Sequence, residues 1–560
     1  MPTITVKKRN LLNMIDASLS NEELQRLINL IKPEVEEVTT DEISYELNPD
    51  RSDLFSSPGL ARAINGFLGR RVGLPQYDVC EKRLSVKVEE VKVRPYFACA
   101  IVKGLQLSDT KVEELMEFQE ALTNTLGRHR RKVAIGLHDL SKLVPPIRYI
   151  AASPSATMIP LQLPEELSLE EILSQHPKGK KFGHLIAHAK AYPAIVDQRG
   201  IFSFPPIINS ERTRITGKVK EIFIDLTGTS LPTINDTMNV LITSLAERGG
   251  IIEKVEVIYP DRNLIFPRLK PKKKVLEVRY VNKLLGLDLS QEEVVEQLEK
   301  ARYGTKTEAK GQITVKIPPY RPDVLHPVDI IEDVSIAYGF NNFSSEPSKL
   351  ATIGRLHPLE SFSNNVRGVM TGLGFQEIMT PTLVGKEVLI DQMRLREEEV
   401  DVVELSNPVS TEYQVCRNSI LPSLLDFLSK NTHISFPQKV YELEDVVVID
   451  KKSPTKTKNV KKLAAVISDH QVGYSDIRAN IDALLNCFAI PYEVTPTEDP
   501  SFIKGRVGKL TAKMQGKKRP FGRLGEVHPK VILNFSLEKP TAAFELDVEK
   551  LYTFSSVTEA

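Results

Sequence analysis

The chain repeats part of itself at a spacing of 270 residues, and that duplication limits what it can fold into. "SLSNEELQRLINLI" (Ser18 to Ile31) aligns without a gap on "DLSQEEVVEQLEKA" (Asp288 to Ala301). The same register sets "NPDRSDLFSSPGLARAINGFLG" over "PPYRPDVLHPVDIIEDVSIAYG". Pro49, Arg51, Asp53 and Gly69 then fall on Pro319, Arg321, Asp323 and Gly339. Each copy predicts an amphipathic helix opened by Ser and Glu-Glu, a strand near Ile43 or Ile313, and a Pro-x-Arg-x-Asp turn into a second helix. One small module therefore occurs twice, with other structure between and after the copies.

The copies differ where chemistry is expected. A helix from Pro327 puts Asp329, Glu332 and Asp333 on one face, just after Asp323. The first copy has Gly59, Arg62 and Ala63 instead of those three acids, so the module does not need them to fold. Two explanations stay open. First-turn acids are favoured by the helix N-terminus, and clustered carboxylates suit a hard cation such as Mg²⁺. Asp53 and Asp323 also read as caps of their turns.

At 560 residues the chain exceeds a single core and predicts roughly three to five domains. Lysines and arginines balance the acids to a net charge of +1, which argues against a general polyanion binder. Cys80, Cys99, Cys416 and Cys487 are scattered without metal or disulfide spacing, as expected of a reducing cytoplasm. The start lacks a signal-peptide core, and no apolar run is long enough for a membrane.

Between the copies, "LSVKVEEVKVRPYFACAIVKGLQL", "VAIGLHDLSKLVPPIRYIAAS", "YPAIVDQRGIFSFPPI" and "EIFIDLTGTS" read as strands, and "DTKVEELMEFQEALTNTLGRHRRK" and "LPTINDTMNVLITSLAERGG" as helices. The expected organisation is four parts: 1–83, 84–270, 271–345 and 346–560. The run "RLKPKKK" (Arg268 to Lys274) reads as a linker. After Phe340 strands and helices alternate as in a largely antiparallel sheet flanked by helices, with "DKKSPTKTKNVKK" at a hairpin tip.

Few motifs carry chemistry by spacing alone. His184 and His188 stand at i and i+4 in "HLIAH", with His176 upstream, but the Glu of a zinc-protease helix and a third ligand are missing. No phosphate-binding glycine loop or nucleophile elbow occurs. The polar cluster "INSERTR" (Ile208 to Arg214), after the apolar run "IFSFPPI", is the best candidate site. Turn chemistry explains the same residues.

In order along the chain, "NPDRSDLFSSPGLARAI", "GLHDLSKL", "PPIINSERTRIT", "PPYRPDVLHPVDIIEDVSIAYGF", "LGFQEIMTPTL", "NPVSTEYQVCRNSILPSLL" and "YELEDVVV" resemble the beta subunit of phenylalanyl-tRNA synthetase, archaeal and eukaryotic cytosolic type. That resemblance implies an α+β multidomain fold. It would contain two copies of a small helical or winged module, an α+β editing domain, and a degenerate class II synthetase-like antiparallel platform. It implies an alpha-chain partner in an α2β2 tetramer, with ATP bound by alpha, and tRNA(Phe) as the shared substrate.

It also implies Mg²⁺ shared with alpha at Asp323, Asp329, Glu332 and Asp333, and an editing site that hydrolyses tyrosyl-tRNA. Glu211 would receive the tyrosine hydroxyl there; His138, Asn209, Ser210, Thr213, Thr227 and Thr229 would line the pocket and hold water. Editing is needed because an apolar pocket rejects one added hydroxyl by only about 10². No nucleophile–base pair is visible, so positioned water is expected rather than a covalent intermediate. Arg417 and Glu442 fall where an ATP-binding motif would be, but "AAFELDVEKLY" lacks the arginine that ends the third class II motif, so no residue is expected to be catalytic for aminoacylation. The chain stops at Ala560, without the C-terminal anticodon-binding domain of bacterial beta subunits. A free-standing editing hydrolase and a non-enzymatic nucleic-acid-binding protein are the alternatives. The platform weighs against the first and the near-neutral charge against the second.

Overall fold

The computed structural model describes residues 2–348, 350–514 and 517–557. The chain divides into two compact units, Met1–Glu346 and Pro347–Ala560.

The duplication holds strand for strand. In the first copy Thr3–Lys7, Glu42–Glu46 and Glu34–Val38 form an antiparallel sheet in that order, and Lys272–Glu277, Gln312–Ile317 and Gly304–Ala309 do the same in the second. Helices Asn21–Ile31 and Ser57–Phe67 correspond to Gln291–Lys300 and Pro327–Tyr338. The Ser and Glu-Glu starts are capping boxes. Ser20 Oγ accepts the N–H of Glu23 while the Glu23 carboxylate accepts that of Ser20, and Ser290 and Glu293 repeat the exchange. Each copy carries more strand than its periodicity predicts, because two of its three short strands are sheet edges. The run expected as a linker enters the strand Lys272–Glu277, in which only Leu276 is buried.

The copies pack against each other. The first copy's second helix comes so close to the end of Gln291–Lys300 that a Cβ on Gly66 would lie 2.3 Å from the Lys300 carbonyl oxygen. Only glycine allows that approach. Lys32, at the end of the first copy's helix, reaches Glu332 on the second copy's helix at 2.8 Å.

Between the copies lies a ten-stranded sheet. Its order is Ile208–Asn209, Gly200–Phe204, Tyr192–Asp197, Ile147–Ala152, Val79–Val88, Ile251–Ile258, Tyr96–Lys103, Ile222–Gly228 and Val133–Asp139, with Asn263–Phe266 pairing onto Ile251–Ile258. Helix Leu231–Glu247 buries Ile234, Met238, Leu241 and Leu245 in the core of this region; a fully buried side chain of this kind contributes about 1.5–3 kcal/mol. The sheet curls until its two ends meet. The Asn209 amide on one edge donates to the Leu137 carbonyl on the other at 3.4 Å.

The second unit is built on a seven-stranded sheet, antiparallel except where Gln376–Glu377 joins Gln438–Ile449. Helices Pro358–Gly372 and Tyr474–Cys487 share one core with it, and Leu421–Ser429 belongs to another. Asp450 to Lys456 of the basic tract form the tip of the hairpin between Gln438–Ile449 and Thr457–Ser468, and the rest of the tract lies in the second of these strands. Among the described residues no helix is long and apolar enough to cross a membrane.

Candidate active site

A cavity of about 230 Å³ lies along the seam where the curled sheet's edges meet, and Asn209, Thr213, Asp225, Ser203, Arg130 and Lys178 are among its lining residues. Pairing of Ile222–Gly228 with Val133–Asp139 puts Asp225 opposite Gly136, two residues from His138. His138 is fully buried with its edge against Phe202. Its Nε2 lies 2.8 Å from Asp225 Oδ2 and its Nδ1 2.8 Å from Thr213 Oγ1. As a carboxylate, Asp225 accepts Nε2–H and leaves Nδ1 to accept the Thr213 hydroxyl, whose other acceptor, the Ser210 carbonyl, is farther at 3.3 Å. A Cβ on Gly136 would lie 2.0 Å from Asp225 Oδ2, so glycine alone leaves the carboxylate room. The sequence points to no acid–base pair here; the fold assembles one, with a hydroxyl attached.

Part of the lining is basic, with Arg130 and Lys178. Arg128, His129 and Arg130 have φ of 48°, 52° and 65°, a left-handed turn that costs about 1–2 kcal/mol per residue. Arg94 holds it: its guanidinium donates to the Arg130 carbonyl at 2.9 Å and to the Thr227 carbonyl at 2.6 Å. Burial lowers the Arg94 pKa to about 10. Arg130 in turn donates to the carbonyls of Pro206 and Ile207, both at 3.0 Å, and pairs with Glu120 at 2.9 Å.

The remaining expected pocket residues are placed as follows. Ser210 is buried, its hydroxyl accepting the Arg212 N–H. Glu211 stands beside the cavity rather than in its lining. Its carboxylate accepts the N–H of Gln162 at 2.9 Å and pairs with Arg214 at 3.2 Å, and both of those residues line the cavity. Thr227 and Thr229 are outside the cavity lining, the first receiving the Arg94 Nε–H and the second donating to the Arg131 carbonyl. Thr227 shares the strand face of Asp225, and Thr229 follows the strand's end. His176 caps its own turn by accepting the Lys178 N–H.

The four acids of the second copy do not converge. Arg321 forks onto Asp323 at 2.9 and 2.7 Å, as Arg51 does onto Asp53. Asp333 receives Arg321 at 2.6 Å and the Tyr303 hydroxyl, and faces Arg51 of the first copy at 3.7 Å. Burial raises the pKa of Asp323 in spite of Arg321. Asp329 accepts the N–H groups of Leu325 and His326, and Glu332 pairs with Lys32. Among the described residues no three His, Cys, Asp or Glu side chains form a metal-binding group. Asp323 and Asp333 are spent on buried arginines and do not fit a metal. Asp329 and the half-exposed Glu332 fit the one or two carboxylates by which Mg²⁺ is held among waters. Arg62, at the position of Glu332, stacks on Tyr320 at 3.5 Å, so the copies' differences serve their packing.

A family model described as the tRNA synthetase B5 domain matches residues 275–340, and one described as the phenylalanyl tRNA synthetase beta chain CLM domain matches 344–548. The phenylalanine–tRNA ligase beta subunit of Pyrococcus abyssi is 42% identical over 99% of this chain and 100% of its own length. The chain belongs to the phenylalanine–tRNA ligase beta subunit family. That of Methanocaldococcus jannaschii is 40% identical over 98% of the chain and 100% of the relative. A crystal structure of an N-terminal fragment of the Pyrococcus horikoshii phenylalanyl-tRNA synthetase beta subunit is similar at 41% identity, with a TM-score of 0.58. It covers 60% of this chain and 99% of that fragment.

For a beta subunit, the second unit's buried charges matter as much as the cavity. Arg417, 1% exposed, pairs at 2.8 Å with the fully buried Glu442, and both also bond Thr380. Glu545 is enclosed too. Burial alone would raise its pKa, but Lys462, Arg523 and bonds from Ile420 and Ser419 hold it at about 2. These groups satisfy one another within the sheet.

Proposed function

We propose that this chain, as the beta subunit of a cytoplasmic phenylalanine–tRNA ligase, joins a separate alpha subunit in an α2β2 tetramer that charges tRNA(Phe) with phenylalanine using ATP bound by alpha, and that its seam cavity hydrolyses tyrosyl-tRNA(Phe). The parts are the modules 1–83 and 271–345, the editing region 84–270 and a class II-like platform 346–560 without synthetic chemistry. The Asp225–His138–Thr213 chain beside the cavity carries the hydrolytic reading. In that reaction a water oxygen attacks the ester carbonyl as Asp225 takes its proton, and the bond to the ribose oxygen breaks as Asp225 returns that proton to it, so the ribose leaves as its hydroxyl. His138 positions Asp225 and Thr213. Glu211 takes the tyrosine hydroxyl by displacing Arg214, an exchange that phenylalanine, without a hydroxyl, cannot make.

The platform is inert because its one arginine in the expected place is already neutralised by Glu442 and closed off from solvent. A triphosphate would have to break that pair, and removing the partner of a buried charge costs about 3–5 kcal/mol. Phenylalanine-dependent pyrophosphate exchange should therefore be undetectable with the purified chain and appear when the alpha subunit is mixed in. Exchange by the chain alone would refute the assignment. Magnesium, held by Asp329 and Glu332 with oxygens from alpha, would supply charge neutralisation at the subunit boundary.

A further inference from the structure

The seam cavity has two cations in its lining that hydrolysis alone leaves without a task. Arg130 and Lys178 line it together with Asp225. Arg130 is 6% exposed, yet its Nε–H, buried, has no hydrogen-bond partner. Its other nitrogens are fixed on Pro206, Ile207 and Glu120, so this donor cannot turn elsewhere. A buried donor left unpaired costs about 1–3 kcal/mol unless a ligand satisfies it. Lys178, an exposed residue, adds an ammonium to the same lining. Desolvation, and then the like charge of Arg130, lower the Lys178 pKa, and an anion bound between the two would relieve that repulsion.

The cavity's size decides which part of the ligand meets these cations. At about 230 Å³ it falls below the range of pockets that hold a whole small-molecule ligand. It admits an aminoacyl group and leaves only the phosphate of the adjoining nucleotide within reach of its lining cations. Resting on the editing reading, we propose that Lys178 and Arg130 grip the phosphate of the nucleotide that bears the ester, while the amino acid's ammonium faces Asp225. The lining thereby reads the two charges of an aminoacyl-nucleotide, and a free amino acid or an uncharged nucleoside ester satisfies only part of it. Lys178 is then a specificity-determining residue for this substrate class.

The test uses the assembled ligase and two small substrates, tyrosyladenosine esterified on its ribose and the same ester carrying a 5′-phosphate. The readout is the ratio of kcat/KM for the phosphorylated over the unphosphorylated ester. Wild type should favour the phosphorylated ester by about 10- to 100-fold, the range for a hydrogen bond to a charged group, with the ratio shrinking as salt rises. Lys178→Met should bring the ratio close to one, and Lys178→Arg should restore most of it. A ratio unchanged in Lys178→Met overturns the phosphate grip while leaving the hydrolytic reading intact. Failure of the wild-type ligase to hydrolyse either ester or tyrosyl-tRNA(Phe) overturns both.

Discussion

Asp225→Asn in the assembled ligase should slow hydrolysis of tyrosyl-tRNA(Phe) by about 10²- to 10⁴-fold, the usual contribution of a general base, with phenylalanine charging near normal. Asparagine has the shape that fits opposite Gly136, so the strand pairing is kept. The carboxylate's proton affinity is lost. The new amide can also present N–H to His138 Nε2, which puts the ring proton on Nδ1 and reverses the bond to Thr213. Both changes act on hydrolysis and neither reaches the alpha subunit's chemistry. Equal clearance by mutant and parent would assign the chain of buried bonds to structure alone.

Asp333→Ala should destabilise the first unit by about 3–5 kcal/mol, the cost of removing one partner of a buried ion pair. The loss is large because Asp333 serves both copies. It neutralises Arg321, which is 4% exposed, accepts from buried Tyr303, and faces Arg51 across the packed modules. Chemical denaturation should show the midpoint falling with little change in slope. Replacing Asp329 and Glu332 together should lower that midpoint much less, since Glu332 is half exposed and the bonds of Asp329 to the helix start are worth about 0.5–2 kcal/mol. The magnesium proposal predicts that the double variant associates more weakly with alpha in magnesium and equally without it. A stable Asp333→Ala protein would return the acids to a shared ligand-binding role.

The duplication is legible because its landmarks, Pro49, Arg51 and Asp53 against Pro319, Arg321 and Asp323, serve the same local turn in both copies. Local chemistry repeats in sequence. The purpose of Asp333 is not legible, because one of its two arginines comes from the other copy, and sequence spacing says nothing of how copies pack. Asp225 shows a different limit. A single acid inside the apolar strand "IFIDLTG" is a signal that a partner must be buried with it, but His138 lies 87 residues away and is joined to it only by strand pairing. The cluster around Asn209 and Thr213 was readable as polar residues after an apolar run, whereas Thr227, on the same strand face as Asp225, is held outside the cavity lining by Arg94, and Thr229 follows the strand's end. Arg94 and Arg130 carry no motif at all; their importance comes from a left-handed turn visible only in three dimensions.

The central claim is that this chain gives the ligase a hydrolytic site for the wrong amino acid. Its most direct measurement is the deacylation rate of preformed tyrosyl-tRNA(Phe) and phenylalanyl-tRNA(Phe) by the wild-type α2β2 complex, each compared with its spontaneous rate. The account predicts that the tyrosyl ester is cleared far faster than its spontaneous rate while the phenylalanyl ester is nearly untouched. Clearance of both at the spontaneous rate would contradict it.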